Sequence, residues 1–198
     1  MPTGYAAKAG LPLRMGMAVL LMVTTAACGQ AANDTDPSAT LEAALQAHGE
    51  GDLESATKLY EEVITEDPEN KFAWYNLGLI RHTQDQVDLA EDGYRKALAI
   101  DPDFVPALFN LAILQAASGR VDDAVASYRR VISLQPEYAG AHLNLGFLLI
   151  DSGDVAQGKA ELRRAVALDP SLESRIPTEL AEEVAPPAGG ATTATPSD

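Results

Sequence analysis

Residues 67 to 102 read DPENKFAWYNLGLIRHTQDQVDLAEDGYRKALAIDP, a segment that begins and ends with the same Asp-Pro pair. The pattern continues beyond this segment, because Pro136 and Pro170 follow at the same spacing of 34 residues. A strict period of this length predicts a stack of similar units, each of which buries its apolar face only against its neighbours.

Four blocks fit this period, and similar side chains return at the same place in each. The blocks are Pro37–Asn70, Lys71–Phe104, Val105–Tyr138 and Ala139–Leu172. One column holds small residues, which let two helices approach closely, and another holds bulky residues that fill the space beside them. The small column is Ala56, Ala90, Ala124 and Gly158, and the bulky column is Tyr60, Tyr94, Tyr128 and Leu162.

Each block predicts two helices that are joined by a short turn and closed by a proline, which cannot continue a helix. We expect these helices at Ser38–His48, Leu53–Glu66, Lys71–Thr83, Val87–Ile100, Val105–Ser118, Val121–Leu134, Tyr138–Ser152 and Val155–Leu168.

The pattern resembles the tetratricopeptide repeat over residues 37–172. The second block matches that repeat most fully, with Trp74, Leu77, Gly78, Ala90, Tyr94, Ala97 and Pro102. The first block is the weakest copy, since small residues replace the large ones of its first helix, as is expected of a terminal repeat. The resemblance implies an all-α fold, a right-handed α-solenoid of about four tetratricopeptide repeats.

Residues 1–27 have the organisation of a secretory signal peptide. Lys8 and Arg14 precede the apolar run Met15–Val23, and small residues lead from there to Ala27. The run is far shorter than the roughly 20 apolar residues that span a bilayer, so a transmembrane anchor is the weaker interpretation.

Cys28 is the only cysteine of the chain, so it cannot form an internal disulfide. The stretch Thr25–Cys28 resembles a bacterial lipobox, with threonine where that motif usually has leucine. The resemblance implies that Cys28 is acylated, becomes the mature N-terminus and anchors the protein on a membrane. The alternative is ordinary cleavage after Ala27, which would give a secreted soluble protein.

The segments that flank the repeats differ from them in composition. Residues 28–40 predict a polar tether and residues 185–198 a disordered tail, because both are poor in bulky apolar side chains. Residues 173–184 predict a short helix that covers the last repeat, with Pro177 at its first turn.

Several function classes find no support in the sequence. A formal net charge of −15 disfavours nucleic-acid binding, which needs clustered Lys and Arg. The segment Gly153–Ala160 contains the G-x-x-x-x-G-K pattern of a phosphate loop, but it falls within a helical block and lacks the preceding strand. His48 and His82 lie one period apart, with no third metal ligand evident. We therefore predict no enzyme, no cofactor and no metal site.

Three asparagines share one column of the first helices: Asn76, Asn110 and Asn144. Asparagine is unfavourable inside a helix, so its recurrence at one register needs a reason. In tetratricopeptide proteins an asparagine ladder on the concave wall bonds the backbone of an extended peptide, and an amide offers both donor and acceptor for this. The alternative is structural, with each amide bonded to a neighbouring helix.

Apolar side chains are expected beside this ladder on the concave face. They are Phe72, Tyr75, Leu79, Phe109, Ile113, Leu143 and Phe147. An apolar strip beside amides suits a peptide or an amphipathic helix. The corresponding columns lack the Lys and Arg pair that clamps a C-terminal carboxylate in some tetratricopeptide proteins.

Together these patterns predict a scaffold or adaptor of the bacterial cell envelope. It would bind a protein or peptide partner on its concave face while lipid on Cys28 holds it at a membrane, inner or outer. The alternatives are a self-associating structural subunit, or an accessory of an envelope enzyme, a secretion complex or a pilus-assembly complex.

Overall fold

The computed structural model describes residues 37–184, which form α-helices and one short 3₁₀ helix. The α-helices are α1 (Pro37–Glu50), α2 (Leu53–Glu66), α3 (Lys71–Thr83), α4 (Val87–Ile100), α5 (Val105–Ala117), α6 (Val121–Leu134), α7 (Ala139–Asp151), α8 (Val155–Leu168) and α9 (Thr178–Val184). The 3₁₀ helix spans Pro170–Arg175, between α8 and α9. The predicted signal peptide, Cys28 and the predicted C-terminal tail lie outside the described residues.

The predicted all-α architecture is confirmed. Each helix from α2 to α8 packs against the helices that precede and follow it in the chain, and the tightest packing is between the two helices of one repeat. All eight helices predicted for the repeats form, with ends within two residues of those expected. The first begins slightly earlier than predicted, so residues 37–40 belong to α1 rather than to a tether, and Thr40 is buried.

Columns of small residues bring the two helices of a repeat into contact. A Cβ atom added to Gly78 in α3 would lie 2.9 Å from the ring of Tyr94 in α4. In the last repeat, a Cβ atom on Gly146 would lie 2.7 Å from Cδ2 of Leu162. Such distances are closer than van der Waals contact, so a Cβ atom at either place would force the facing side chain to shift.

The turns inside the repeats share a left-handed backbone conformation. Gly51, Gly119 and Gly153 have φ values of 81°, 73° and 98°, while Asp85 takes the equivalent place with φ at 56°. This conformation strains residues with a Cβ atom, which explains why glycine fills three of these four turns.

The C-terminal elements cover the last repeat where a further repeat would otherwise pack. Ile176 and Val184 are buried against Leu143, Leu162 and Val166. These side chains close the apolar end of the stack. As a result α7, the first helix of the last repeat, is enclosed on both sides. No helix among residues 37–184 is long and apolar enough to cross a membrane.

Candidate functional site

The predicted binding residues all belong to the first helices of the repeats, which are α1, α3, α5 and α7. We call the side of the molecule that these helices line the inner face. Helix α5 has no ionisable side chain, and α7 has only His142 and Asp151. The neighbouring second helix α6 contains acidic and basic residues in its first turn and middle. In a chain with a net charge of −15, the ionisable residues are therefore concentrated away from α5 and α7.

Two residues of the asparagine column, Asn76 and Asn110, are hydrogen-bonded within the protein. Nδ2 of Asn110 donates to the hydroxyl of Tyr75 at 3.1 Å and to the carbonyl of Pro106 at 3.0 Å. Nδ2 of Asn76 donates to a carbonyl four residues earlier in its own helix. Only Asn110 bonds a neighbouring helix, so the structural interpretation fits this one residue of the column, while the peptide-binding role stays a prediction.

Phe72 is the most exposed of the predicted apolar residues. Its side chain is 48% exposed and packs edge-on against Phe104, with ring centroids 5.6 Å apart. The ammonium group of Lys71 lies above both rings and pairs with Asp101 at 2.5 Å. This arrangement fixes an aromatic ring at the surface of the second repeat, available for contact with a partner.

Tyr75, Leu79 and Phe109 are half-buried and connect repeats. The ring of Tyr75 contacts Tyr94 and Phe104, and burial raises the pKa of its hydroxyl. Leu79 packs against the cluster between the second and third repeats. Phe109 contacts Tyr128 and Tyr138. These three side chains are therefore only partly available to a partner.

The prediction that Leu143 contributes to the concave binding face is wrong, because its side chain is 0% exposed. It belongs to the cluster formed by the last repeat with Ile176 and Val184. The C-terminal elements cover the side of α7 that the period alone leaves open, so Leu143 contributes to the core.

An open depression of 370 Å³ lies between the last two repeats on the inner face. It joins three of the predicted residues, Ile113, Asn144 and Phe147. Four others were missed by the sequence analysis: Ala116, Tyr128, Leu148 and Asp151. Tyr128 was assigned to the bulky packing column, yet it also lines this depression together with Asn144. Asp151 could have been found as the only acidic residue of the first helices α5 and α7.

The histidines have structural partners. His142 is buried, and its Nε2 bonds the carbonyl of Pro136 at 3.0 Å. Two repeats earlier, Nε1 of Trp74 bonds the carbonyl of Pro68 in the same way. Nδ1 of His142 contacts Glu161 at 2.6 Å. Within residues 37–184, no cluster of three or more His, Cys, Asp or Glu side chains could hold a metal ion.

The stacked helix pairs and their inner face define a solenoid of the tetratricopeptide type, and family comparisons agree. A family model described as the cilia and flagella-associated protein 70 middle TPR-like domain matches residues 40–143, more than half of the chain. A second, described as tetratricopeptide repeat, matches residues 116–176. The chain belongs to the tetratricopeptide-repeat family, whose members are in general protein-binding adaptors.

Solved structures support the fold. A crystal structure of MamA has a TM-score of 0.65 and 19% identity, covering 73% of this chain and 84% of that one. PilF of Pseudomonas aeruginosa has a TM-score of 0.62 and 24% identity, covering 70% of this chain and 63% of that one. A tetratricopeptide repeat protein from Parabacteroides merdae has a TM-score of 0.63 and 20% identity, with 75% and 63% covered. No curated protein matches the chain significantly.

Proposed function

We propose that this protein is a scaffold of the bacterial cell envelope that binds a peptide or helix of a partner protein along its inner face. The observation that supports this most is the scarcity of charge on α5 and α7 in a strongly acidic chain, since α5 has no ionisable residue and α7 has only His142 and Asp151. Charged residues keep a protein surface soluble, so a surface with few of them is suited to contact rather than to solvation.

The apolar groups on this face are held in place before any partner arrives. The exposed ring of Phe72 is fixed by Phe104 and Lys71, and the hydroxyl of Tyr75 accepts a hydrogen bond from Asn110. A preorganised surface loses little conformational entropy on binding, which favours a stable complex.

The envelope location rests on the N-terminal sequence. A positively charged start, an apolar run and small residues before Cys28 are typical of an exported lipoprotein. Acylation of a single cysteine with more than one chain holds a protein durably on a membrane. The solenoid would then present its inner face to partners close to that membrane.

Site-specific photo-crosslinking in intact cells tests the binding surface. A photoreactive phenylalanine analogue in place of Phe72 reports on the inner face, and the same analogue in place of Leu89 is the control. Leu89 is 54% exposed on the second helix α4. We expect crosslinks to another envelope protein from position 72 and none from position 89. Equal crosslinks from both positions would contradict the proposal, and crosslinks from position 72 to a second copy of the chain would favour the self-associating subunit.

Mass spectrometry of the native protein tests the anchor separately. We expect a mature N-terminus at Cys28 that bears acyl chains, and Cys28→Ala should release the protein from the membrane fraction or stall its processing. A soluble native protein with a free thiol at Cys28 would contradict the lipid anchor without affecting the binding proposal.

A further inference from the structure

The depression between the last two repeats has apolar walls contributed by three helices. Ile113 and Ala116 belong to α5, and Phe147 and Leu148 belong to α7. Tyr128 of α6 lies between these two helices and is almost completely buried. The depression is open to solvent and has a volume of 370 Å³, which gives room for one bulky apolar side chain.

Polar atoms are present at defined places in this apolar surface. Tyr128 and Asn144 both line the depression, and a hydroxyl and a primary amide each have a donor and an acceptor. A donor and an acceptor beside an apolar recess suit the backbone on either side of an anchored side chain.

Asp151 is the only ionisable residue besides Tyr128 that lines the depression. It is the last residue of α7, where the helix dipole disfavours a negative charge. The equivalent residues one and two repeats earlier are Ala117 and Thr83, which are both uncharged. Asp151 is thus unfavourable for the helix and lies at the rim of a candidate site. Residues that break a local structural rule in this way are expected at functional sites.

We propose that this depression is the anchor subsite of the inner face, and that it selects a partner segment in which a bulky apolar residue lies next to a lysine or arginine. This inference rests on the proposed function. The apolar side chain fills the depression, and the adjacent cation pairs with the exposed carboxylate of Asp151. Because that pair lies at a solvated rim, it contributes about twofold to fivefold in affinity and weakens with salt.

A displayed library of random peptides, selected on the purified protein, tests the subsite without a known partner. Selected peptides are then synthesised and their affinities measured by fluorescence anisotropy for the parent protein and four variants, of which Phe72→Ala removes the exposed aromatic ring of the inner face. Ala116→Phe fills the depression, and Asp151→Lys reverses the charge at its rim. Glu62→Lys is the matched control, since it makes the same change of charge at an exposed place on the second helix α2. Thermal unfolding of each variant establishes that its fold is intact.

We expect selected peptides to pair a bulky apolar residue with a neighbouring Lys or Arg, and to lose at least tenfold in affinity with Ala116→Phe. Asp151→Lys should weaken them twofold to fivefold at low salt, whereas Glu62→Lys should not. A repeat selection on Asp151→Lys should yield acidic residues at the adjacent place.

The other outcomes separate the subsite from the proposed function. Peptides that Ala116→Phe blocks but that respond equally to Asp151→Lys and Glu62→Lys would overturn the charge selection alone. Peptides that ignore Ala116→Phe yet are lost with Phe72→Ala would overturn the anchor subsite and leave the inner face as a binding surface. Peptides that depend on none of these residues, or no selected peptides at all, would overturn both.

Discussion

The amide nitrogen of Asn110 donates a hydrogen bond over 3.1 Å to the hydroxyl of Tyr75, and this bond joins the first helices of two successive repeats. In a solenoid, stability depends on interfaces between neighbouring repeats as well as on each repeat itself. The equivalent Asn76 donates to the carbonyl of Phe72 within its own helix. Two residues of one column therefore have different structural roles.

Asn110→Ala should be less stable than Asn76→Ala by about 1 kcal/mol in urea unfolding. Both substitutions replace a poor helix former by the best one and remove a bond to a carbonyl four residues back. Only Asn110→Ala also removes the bond between repeats, which is worth about 0.5–1.5 kcal/mol.

A double-mutant cycle with Tyr75→Phe isolates that bond. If the hydroxyl and the amide stabilise each other, the two losses should be non-additive by about 1 kcal/mol. Additive losses, or equal stabilities for the two asparagine variants, would show that the bond adds nothing to the interface. Peptide affinity measured on the same variants separates this structural role from a role in binding.

Leu111→Ala should lower the free energy of unfolding by about 2–5 kcal/mol, since it leaves a cavity in the core. Leu111 is 7% exposed and packs in the cluster that unites the second and third repeats. Leu89→Ala is the matched control on an exposed site and should change stability far less. Similar midpoints in thermal unfolding for the two variants would mean that this central interface contributes little to the array.

Glu91 should make the stability depend on acid pH. Both of its oxygens accept bonds from Arg120, at 2.8 and 2.5 Å, and Arg95 bonds it as well. The guanidinium groups lower the pKa of Glu91 from 4.5 to about 2, against the cost of desolvation. A lowered folded-state pKa stabilises the protein above pH 4.5, and that contribution is lost as pH falls towards 2.

Glu91→Gln should therefore lower the free energy of unfolding at neutral pH by only about 1 kcal/mol, because solvent screens the partly exposed Arg120. The substitution should also flatten the loss of stability between pH 4.5 and 2. Urea unfolding at a series of pH values measures both effects. Glu54→Gln provides the control, since its pair with Lys58 is exposed on one helix surface. An acid profile that is unchanged by Glu91→Gln would assign the pH dependence to other carboxylates.

The sequence predicts the helices well because the period repeats the packing chemistry several times. Gly78 and Gly146 recur with a bulky partner at a fixed distance along the chain, and the structure shows each glycine against that partner, Tyr94 or Leu162. Contacts of this kind are local and the same in each repeat. They can be read from columns of residues without knowledge of the whole fold.

The candidate site is less predictable because it depends on what differs between repeats. Leu143 shares a column with Tyr75 and Phe109, but elements outside the period bury it. The depression combines α5, α6 and α7, so the contribution of Tyr128 follows from the contact between two repeats rather than from its own column. Asp151 has no charged equivalent in the repeats before it. Comparison of columns detects residues that recur, so it does not detect an exception of this kind.

Gly119→Ala should destabilise the protein by about 1 kcal/mol, although no atom lies within 4 Å of the place where its Cβ would be. The cost comes from the backbone, since φ at Gly119 is 73° and a Cβ atom disfavours that conformation. Gly49→Ala is the matched control: it also meets no neighbour, but Gly49 lies inside α1, where alanine is the better helix former. The same substitution should thus lower the free energy of unfolding at position 119 and raise it by about 0.5 kcal/mol near the end of α1. Urea unfolding of both variants measures the two signs, and a Gly119→Ala protein as stable as the parent would show that the turn of the third repeat relaxes out of the left-handed conformation.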